Sequence, residues 1–359
     1  MPGSEAGGRI WGRLAEGPTW FVVRAQPGLG RLTEALALME LLRGTGASLR
    51  LLTSPEAVPL ARRLFSGPVE AFSLAAGPDP QQAVIDSADL HRLLTTLRRA
   101  RPRALVVHGH PLLLPIFRHA SSAALVAMAN LHDLRSPGHT PGARLLAAAL
   151  HSSADLVMVG ELRLGSRWER LGATPVLRLP ALVRPQVLGL PAEAPLAAVA
   201  VLGGGSLGDR RLAESTARIV DRLETAVASG ELESCLVFPA AAVDPARHPH
   251  LLPGRDPLQY PRRLRAADLV VARAGRSSLA ELLALGKRAV VIPAHSDTLR
   301  GVEQAANAQR AAALSPAIRV LQVLELDRLR VALDEVARAQ PRRWSPGNRQ
   351  VQEELRAGA

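Results

Sequence analysis

The most constraining feature of this sequence is the stretch from Ala266 to Asn307, AADLVVARAGRSSLAELLALGKRAVVIPAHSDTLRGVEQAAN. Its pattern predicts an apolar strand, a turn containing Gly275, a helix that opens at Ser277, and a second apolar strand from Ala289 to Ile292. This order is a unit of a parallel sheet, so we predict a doubly wound α/β protein. The turn suits an anion, because the first N–H groups of the helix point out of the carboxyl edge of the strand.

A carboxylate lies one turn deeper in the same predicted helix. Glu281 follows Ser277 by four residues and therefore shares its face. A phosphate bound at the helix start would leave this carboxylate within reach of the attached sugar.

The same stretch resembles a known family. The run Arg-x-Gly-x-x-Ser-x-x-Glu, followed by a strand, Pro-x-His and Gln-x-x-Asn, resembles the donor-binding half of GT-B glycosyltransferases, most closely the family of the peptidoglycan N-acetylglucosaminyltransferase MurG. The Arg-x-Gly segment alone also fits other doubly wound proteins, and the downstream spacing favours a nucleotide-sugar site. The residues that we take as the donor site are Arg273, Gly275, Ser277, Ser278, Glu281, His295, Gln304 and Asn307.

The resemblance implies a fold and a division of roles. It implies a GT-B architecture, with two Rossmann-like doubly wound domains facing each other across a cleft. In that family the glutamate holds the nucleotide ribose, the helix start holds the diphosphate, and the Gln/Asn pair meets the donor sugar. His295 is then expected to contact the loop or the phosphate.

Length and composition agree with a two-domain globular protein. The chain has 359 residues and is 47% hydrophobic, without an apolar run approaching a membrane span. Its N-terminus lacks a hydrophobic signal core, and the lone Cys235 excludes an internal disulfide. We therefore expect a cytoplasmic protein.

The charge balance is strongly basic, with 44 Lys and Arg against 32 Asp and Glu. Such a balance suits nucleic acid, an anionic membrane face or a phosphorylated substrate. Aromatic residues make up only 3% of the chain and no zinc-finger or RNA-binding pattern is evident, which argues against nucleic acid. Lys287 is the only lysine, so the excess of arginine also fits a purely compositional origin.

Composition shifts divide the chain. Four prolines fall within sixteen residues after Leu179, as expected of a linker. The predicted segments are a flexible tail (1–18), an acceptor domain (19–179), a linker (180–196), a donor domain (197–340) and a C-terminal segment that returns to the first domain (341–359).

Each predicted domain opens with a strand, a glycine turn and a helix. In the first domain the turn contains Gly28, Gly30 and Arg31, and the resemblance places it on the acceptor side. In the family a histidine that serves as the base often follows the second glycine. Arg31 stands there instead, and an arginine is too basic for this role but suits a phosphate or an acidic acceptor.

The turn of the second domain resembles the Gly-Gly-Ser loop of the family and is a further candidate for the donor phosphate. It contains Gly204, Gly205 and Ser206, whose small side chains allow a close backbone approach. A flexible tight turn is the other reading of this segment.

Other groups at predicted strand ends are candidates for the catalytic base. His110 follows one buried strand, and His132 and Asp133 follow the next. Each histidine also fits an ordinary turn or surface position. For a histidine base we expect a rate that rises with pH through about 6–7. His108, His110 and His132 match no zinc spacing, and no Asp-x-Asp metal clamp is present, so neither a metal ion nor a cofactor is expected.

The sequence thus predicts an inverting, metal-independent glycosyltransferase with a nucleotide-sugar donor, UDP-linked in the simplest case. Two alternatives stay open: a nucleotide-sugar hydrolase or epimerase on the same fold, and a non-catalytic nucleotide-sugar-binding subunit. The acceptor is unidentified. The apolar stretch from Pro111 to Phe117, with arginines elsewhere in the same domain, indicates either a lipid-linked acceptor at an anionic membrane or an ordinary core helix.

Overall fold

The structure is a computed structural model of the chain, and it describes residues 2–25, 29–73, 87–131, 134, 140–189, 191, 194–203, 210–256, 258–294 and 299–358. The chain forms two compact units. Unit 1 comprises Met1–Glu161, Gly165–Leu182 and Gly347–Ala359. Unit 2 comprises Leu162–Leu164 and Val183–Pro346.

Strands and helices alternate through most of both units. The strands are β1 Thr19–Val23, β2 Leu49–Thr53, β3 Val69–Ala71, β4 Ala104–His108, β5 Ala124–Asn130, β6 Leu156–Glu161, β7 Arg167–Leu171, β8 Thr174–Pro180, β9 Leu196–Val201, β10 Cys235–Phe238, β11 Leu252–Pro253, β12 Ala267–Arg273, β13 Arg288–Ile292 and β14 Ile318–Val320. The helices are α1 Pro2–Ala15, α2 Gly30–Arg43, α3 Val58–Leu64, α4 Ser87–Ala100, α5 Leu113–Ala120, α6 Pro141–His151, α7 Pro185–Gly189, α8 Arg210–Ala228, α9 Tyr260–Ala266, α10 Arg276–Leu285, α11 Leu299–Leu314, α12 Leu329–Arg338 and α13 Asn348–Gly358. Short 3₁₀ turns span Pro55–Ala57, Ala240–Ala242 and Val323–Arg328.

The sheet of unit 1 has the strand order β3-β2-β1-β4-β5-β6-β8-β7. Its described strands pair in parallel except β7, which runs antiparallel to β8. Every residue of β1 is buried, because alternate side chains enter separate cores on the two faces. Phe21 and Val23 join one core, and Trp20 and Val22 join the other. This explains why the strand reads as a continuous apolar run.

The sheet of unit 2 is parallel throughout its described strands, in the order β11-β10-β9-β12-β13-β14. The central strands carry the apolar runs from which the sequence predicted them. Val271 of β12 and Val290 of β13 lie in a core with Ile219 of α8 and Leu329 of α12. The mixed α/β class and the two parallel sheets predicted from the sequence are thus confirmed.

The N-terminal segment is not a flexible tail, and this prediction was wrong. Residues 2–15 form α1, and Trp11 and Leu14 are fully buried in the core of unit 1. The helix packs against α13 at close range, since a Cβ on Gly12 would lie 2.6 Å from the Gly358 carbonyl oxygen. Glycine at this position permits the two helices to touch.

The sequence also missed the hairpin of β7 and β8. The strand β7 reads RWERL and is half-exposed, so it lacks the apolar alternation that marks a strand. Gly172, with φ of +61°, lies in the turn between the two strands. The helix α7 likewise lies inside the segment that was predicted to be a linker.

The apolar stretch from Pro111 to Phe117 lies mainly in the core of unit 1. Leu113, Leu114 and Phe117 are at most 1% exposed, whereas Leu112 is 42% exposed. The side chains that suggested membrane docking are therefore core residues. Within the described part of the chain, no helix combines the length and apolarity needed to cross a bilayer.

Candidate functional site

The predicted donor motif lies where the strand order of unit 2 changes direction. From β9 the sheet grows outward through β10 and β11 on one side and through β12, β13 and β14 on the other. Open α/β sheets bind ligands beside the carboxyl ends of the strands at such a point. The strand β12 ends at Arg273, and α10 begins three residues later at Arg276.

The start of α10 has the geometry expected of an anion site. Gly275 is its N-cap, in an extended conformation, and provides no side-chain hydrogen bond to the first turn. The backbone N–H groups of a helix start and the positive end of its dipole both favour a negative ligand. Ser277 and Ser278, which the sequence assigned to the donor, lie in this first turn.

Arg273 is a buried cation held by neutral oxygens. Its guanidinium donates to the carbonyl oxygens of Pro293 and Leu212 (3.3 Å each), to Thr216 Oγ1 (3.1 Å) and to Ser215 Oγ. Its Nε has no hydrogen-bond partner within the described residues. Burial lowers the pKa of Arg273 to about 10, so it stays charged at neutral pH. Arg273 thus ties the first turns of α8 to the ends of β12 and β13, and none of these acceptors carries a compensating charge.

Glu281 is the centre of a buried hydrogen-bonded triad. Its Oε1 accepts from Nε and Nη2 of Arg184 at 2.9 and 2.8 Å, and its Oε2 accepts from the Tyr260 hydroxyl at 2.8 Å. The side chains of Arg184 and Glu281 are 9% and 5% exposed. The Arg184 guanidinium also stacks 5.4 Å from the centre of the Tyr260 ring. The carboxylate that the sequence assigned to the ribose is therefore firmly oriented.

The ionisation of the triad follows from this arrangement. Burial, and then the negative charge of Glu281, raise the pKa of Tyr260 well above its usual value, so the phenol stays protonated. Burial acts to lower the pKa of Arg184, but the negative charge of Glu281 and its hydrogen bonds favour the charged guanidinium, and the net direction is upward. Arg184 is therefore a permanent cation and Tyr260 a permanent donor.

The predicted sugar-binding pair lies on α11, after β13. The side-chain oxygen of Gln304 accepts a hydrogen bond from the backbone N–H of Ala294 (2.9 Å) and so fixes the segment after the strand. The amide N–H groups of Gln304 and one further lone pair on its oxygen remain for a ligand. Asn307 lies three residues later on the same helix and is 3% exposed.

Unit 1 has its own change of strand direction, between β1 and β4. There the Arg24 backbone N–H donates to the His108 carbonyl (2.9 Å), and His108 is followed by Gly109 and His110. Gly109 has φ of +81°, a region that favours glycine. Arg31 packs on it, since a Cβ at Gly109 would lie 2.4 Å from Arg31 Cδ.

His110 is a buried neutral imidazole beside two arginines. It is 2% exposed, and within the described residues neither ring nitrogen has a hydrogen-bond partner. Burial, reinforced by Arg24 and more weakly by Arg31, lowers the pKa of His110 to about 4. For this histidine the lowered pKa points away from the titration at pH 6–7 that the sequence led us to expect.

His108 is not a free ligand, because both of its ring nitrogens are engaged. Nδ1 donates to the Met128 carbonyl oxygen (2.8 Å), and Nε2 is hydrogen-bonded to Glu34 Oε2 (3.0 Å). Both side chains are buried. This pair joins α2, which Gly30 opens, to the central strands of unit 1.

Several predicted site residues lie outside the described residues. They are Gly28, His132, Asp133, Gly204, Gly205, Ser206 and His295. Within the described ranges, no three His, Cys, Asp or Glu side chains are grouped as metal ligands.

The sequence analysis missed Arg184, Tyr260, Glu34 and Arg24. Two of them carried a signal: Tyr260 is the only tyrosine of the chain, and Glu34 is an acid inside the apolar run LTEALALMELL. Arg184 lies in a proline-rich segment and Arg24 at the end of a strand, where one arginine among many gives no warning.

Comparison with known proteins finds a matching domain in the part of the chain that contains the motif. Residues 258–357 match the model of the glycosyltransferase family 28 C-terminal domain. No curated protein is similar enough in sequence to count as a match.

Solved structures similar to the chain cover almost all of it. A glycotransferase of kitacinnamycin has 17% identity and a TM-score of 0.58, over 95% of both chains. MurG of Acinetobacter baumannii has 18% identity and a TM-score of 0.52, over 94% of this chain and 99% of its own. The spinosyn rhamnosyltransferase SpnG, complexed with thymidine diphosphate, has 15% identity and a TM-score of 0.55, over 94% and 96%. At such identities the likeness establishes the fold, and the family model matches the part of the chain that contains Tyr260, Arg273 and Glu281. The chain is therefore a glycosyltransferase of the GT-B fold, and its residues 258–357 match the C-terminal domain of glycosyltransferase family 28.

Proposed function

We propose that this protein transfers a sugar from a UDP-linked donor to a hydroxyl group of an acceptor, by direct displacement with inversion and without a metal ion. The observation that carries the proposal is the arrangement at the end of β12. There the buried cation Arg273 and the start of α10, which has no side-chain cap, are followed along the chain by the oriented carboxylate of Glu281. This is the order in which two phosphates and a ribose follow one another in the donor.

Arg273 and the start of α10 are the proposed diphosphate site. A buried guanidinium that meets only neutral oxygens gains from an anion that restores charge balance. The helix start adds backbone donors and a favourable dipole. As the glycosidic bond breaks, negative charge grows on the leaving diphosphate, and these fixed groups stabilise it without reorganising. This is the work that a metal ion performs in enzymes that use one.

Glu281 is proposed to accept a hydrogen bond from the ribose, and Gln304 and Asn307 to meet the sugar hydroxyls. Glu281 lies on the same face of α10 as Ser277 and one turn further in, as a ribose following a diphosphate requires. The amide N–H groups of Gln304 are available as donors, because its oxygen is already bonded to Ala294.

His110 is the proposed general base. The acceptor oxygen attacks the anomeric carbon while the bond to the diphosphate breaks, and the acceptor proton passes to a ring nitrogen of His110. Both nitrogens are unpartnered within the described residues, and the pKa of about 4 keeps the ring neutral at pH 7. A bound anion beside Arg24 and Arg31 would raise that pKa and strengthen the base.

The acceptor is proposed to carry an anionic group near its reactive hydroxyl. The reason is that Arg24 and Arg31 bring positive charge close enough to His110 to lower its pKa. For a lipid-linked acceptor, the membrane contact would involve Leu145 and Leu146 of α6, which are 73% and 59% exposed and adjoin Arg144. Flotation with phosphatidylglycerol vesicles tests this, against a Leu145→Glu/Leu146→Glu variant. Salt-sensitive binding lost in the variant supports a membrane acceptor, and no binding at low salt indicates a soluble one.

Turnover of defined donors tests the function itself. The purified protein is incubated with UDP- and dTDP-sugars, with and without cell extract and with EDTA throughout, and free nucleotide is measured. Release that requires the extract and survives EDTA supports metal-independent transfer. Release without any acceptor would indicate a hydrolase, and tight UDP binding without release a non-catalytic subunit. If EDTA abolishes nucleotide release and magnesium restores it, the metal-free mechanism is overturned.

A further inference from the structure

The hydrogen-bonding capacity of Glu281 is nearly exhausted before any ligand arrives. An ionised carboxylate offers about four acceptor positions, two on each oxygen. Arg184 fills both positions on Oε1 with Nε and Nη2, and Tyr260 fills one on Oε2. One acceptor position, on Oε2, remains.

The groups that occupy Glu281 are themselves held in place. Tyr260 receives a hydrogen bond from Ser278 and packs edge-on against Phe238, with ring centres 5.5 Å apart and planes at 84°. The Arg184 guanidinium lies 5.4 Å from the centre of the same ring, and Arg184 is 8% exposed. A ligand that displaced Arg184 would leave a buried guanidinium without its carboxylate, and one that displaced Tyr260 would break the hydrogen bond of a half-buried hydroxyl. The triad is therefore expected to persist when a nucleotide binds.

A ribose presents two adjacent hydroxyls, at the 2′ and 3′ positions, and holding both on one carboxylate requires two free acceptor positions. We propose that Glu281 holds a single ribose hydroxyl, so that the donor site accepts 2′-deoxyribonucleoside diphosphates about as well as ribonucleoside diphosphates. This inference rests on the proposed function, because it assumes that the nucleotide binds at Glu281. Arg184 and Tyr260 are positioning residues in this account, since they act through the carboxylate.

Calorimetric titration with UDP and with 2′-deoxy-UDP tests the inference. For the wild-type protein we expect dissociation constants within about threefold of each other. The Tyr260→Phe variant keeps the ring beneath Arg184 but frees the second position on Oε2. In this variant UDP should bind about fivefold to tenfold more tightly, as a new hydrogen bond to a charged group allows, while 2′-deoxy-UDP stays unchanged. A purely structural role of the hydroxyl would weaken both nucleotides equally.

The outcomes separate the inference from the proposed function. A wild-type preference for UDP above tenfold overturns the inference but leaves UDP binding intact. An unchanged ratio in Tyr260→Phe, with the variant shown to be folded by thermal denaturation, also overturns it. If the variant does not fold, the wild-type ratio alone decides. If neither nucleotide binds the wild-type protein, the proposed function fails and the inference with it.

Discussion

The two units carry their candidate functional groups at the same place in the fold, beside the carboxyl ends of the central strands. The groups differ in charge and in how far they are already hydrogen-bonded. Beside the end of β12 in unit 2, Glu281 already accepts three hydrogen bonds, from Arg184 and Tyr260. At the ends of β1 and β4 in unit 1, His110 lies beside Arg24 and Arg31, and its ring nitrogens have no partner within the described residues. The carboxylate in unit 2 is thus already hydrogen-bonded, whereas the imidazole in unit 1 is neutral and has no hydrogen bond within the described residues.

This difference matches the two tasks that we propose for these sheet edges. A site that holds a constant ligand benefits from groups fixed in advance, because little freedom is lost on binding. A site that moves a proton needs a group whose nitrogens are not already committed. Each sheet has such a switch point, and in our proposal the side chains decide which task each one performs.

The largest expected effect concerns His110 in unit 1. Replacing His110 by Ala removes the proposed base, and kcat/KM should fall about 10²–10⁴-fold. His119→Ala is the matched control, because His119 is exposed on α5. Because kcat/KM reports the free enzyme and the pKa of His110 is about 4, the His110-dependent part of the wild-type profile should be flat from about pH 5.5 to 8. Wild-type activity in His110→Ala would remove this histidine from the mechanism.

The second prediction concerns the ion pair of Arg184 and Glu281 in unit 2. Arg184→Ala leaves the buried Glu281 carboxylate with Tyr260 alone, and the free energy of unfolding should fall by about 3–5 kcal/mol. Arg319→Ala is the control, because its pair with Glu335 is exposed (56% and 45%) and should contribute less than about 1 kcal/mol. Urea titrations of both variants give the comparison. Equal losses would mean that burial of the pair has no energetic consequence.

A smaller effect concerns pH and stability. The pKa of His110 is lowered to about 4 in the folded chain from 6.5, so below pH 6.5 the unfolded chain binds more protons than the folded one. The corresponding stability is complete above pH 6.5 and is lost as the pH falls toward 4, by about 3 kcal/mol at most. A His110→Phe variant lacks this loss. Its free energy of unfolding should therefore rise relative to that of the wild-type protein as the pH falls from 6.5 to 4.5. A constant difference across that range would show that the histidine is not buried as a neutral ring.

The sequence predicted the fold wherever the physical signal was local. The central strands of both sheets, and the order strand, turn, helix and strand around α10, follow from apolar runs and glycine positions. The errors arose where tertiary contacts override the local pattern. Residues 1–18 were predicted to be a flexible tail, but Gly8 and Gly12 let α1 approach α13 closely. The strand β7 is stabilised by its neighbour β8 and not by an apolar face of its own.

The candidate site was predictable only in part, for the same reason. Glu281 was identified by its spacing from Ser277, which is a property of one helix. Its partners were not, because Arg184 and Tyr260 lie 97 and 21 residues away along the chain. The low pKa of His110 likewise depends on burial and on charges contributed by other segments.

The central claim is that the nucleotide binds at Glu281, and UDP titration calorimetry of wild-type protein and Glu281→Gln tests it most directly. The substitution keeps the shape of the side chain but removes its charge, and the loss of a charge-assisted hydrogen bond should weaken UDP about tenfold or more. Glu335→Gln, which alters an exposed acid, should leave the affinity unchanged. If a folded Glu281→Gln protein binds UDP within twofold of the wild-type affinity, the nucleotide does not bind at this carboxylate and the account is contradicted.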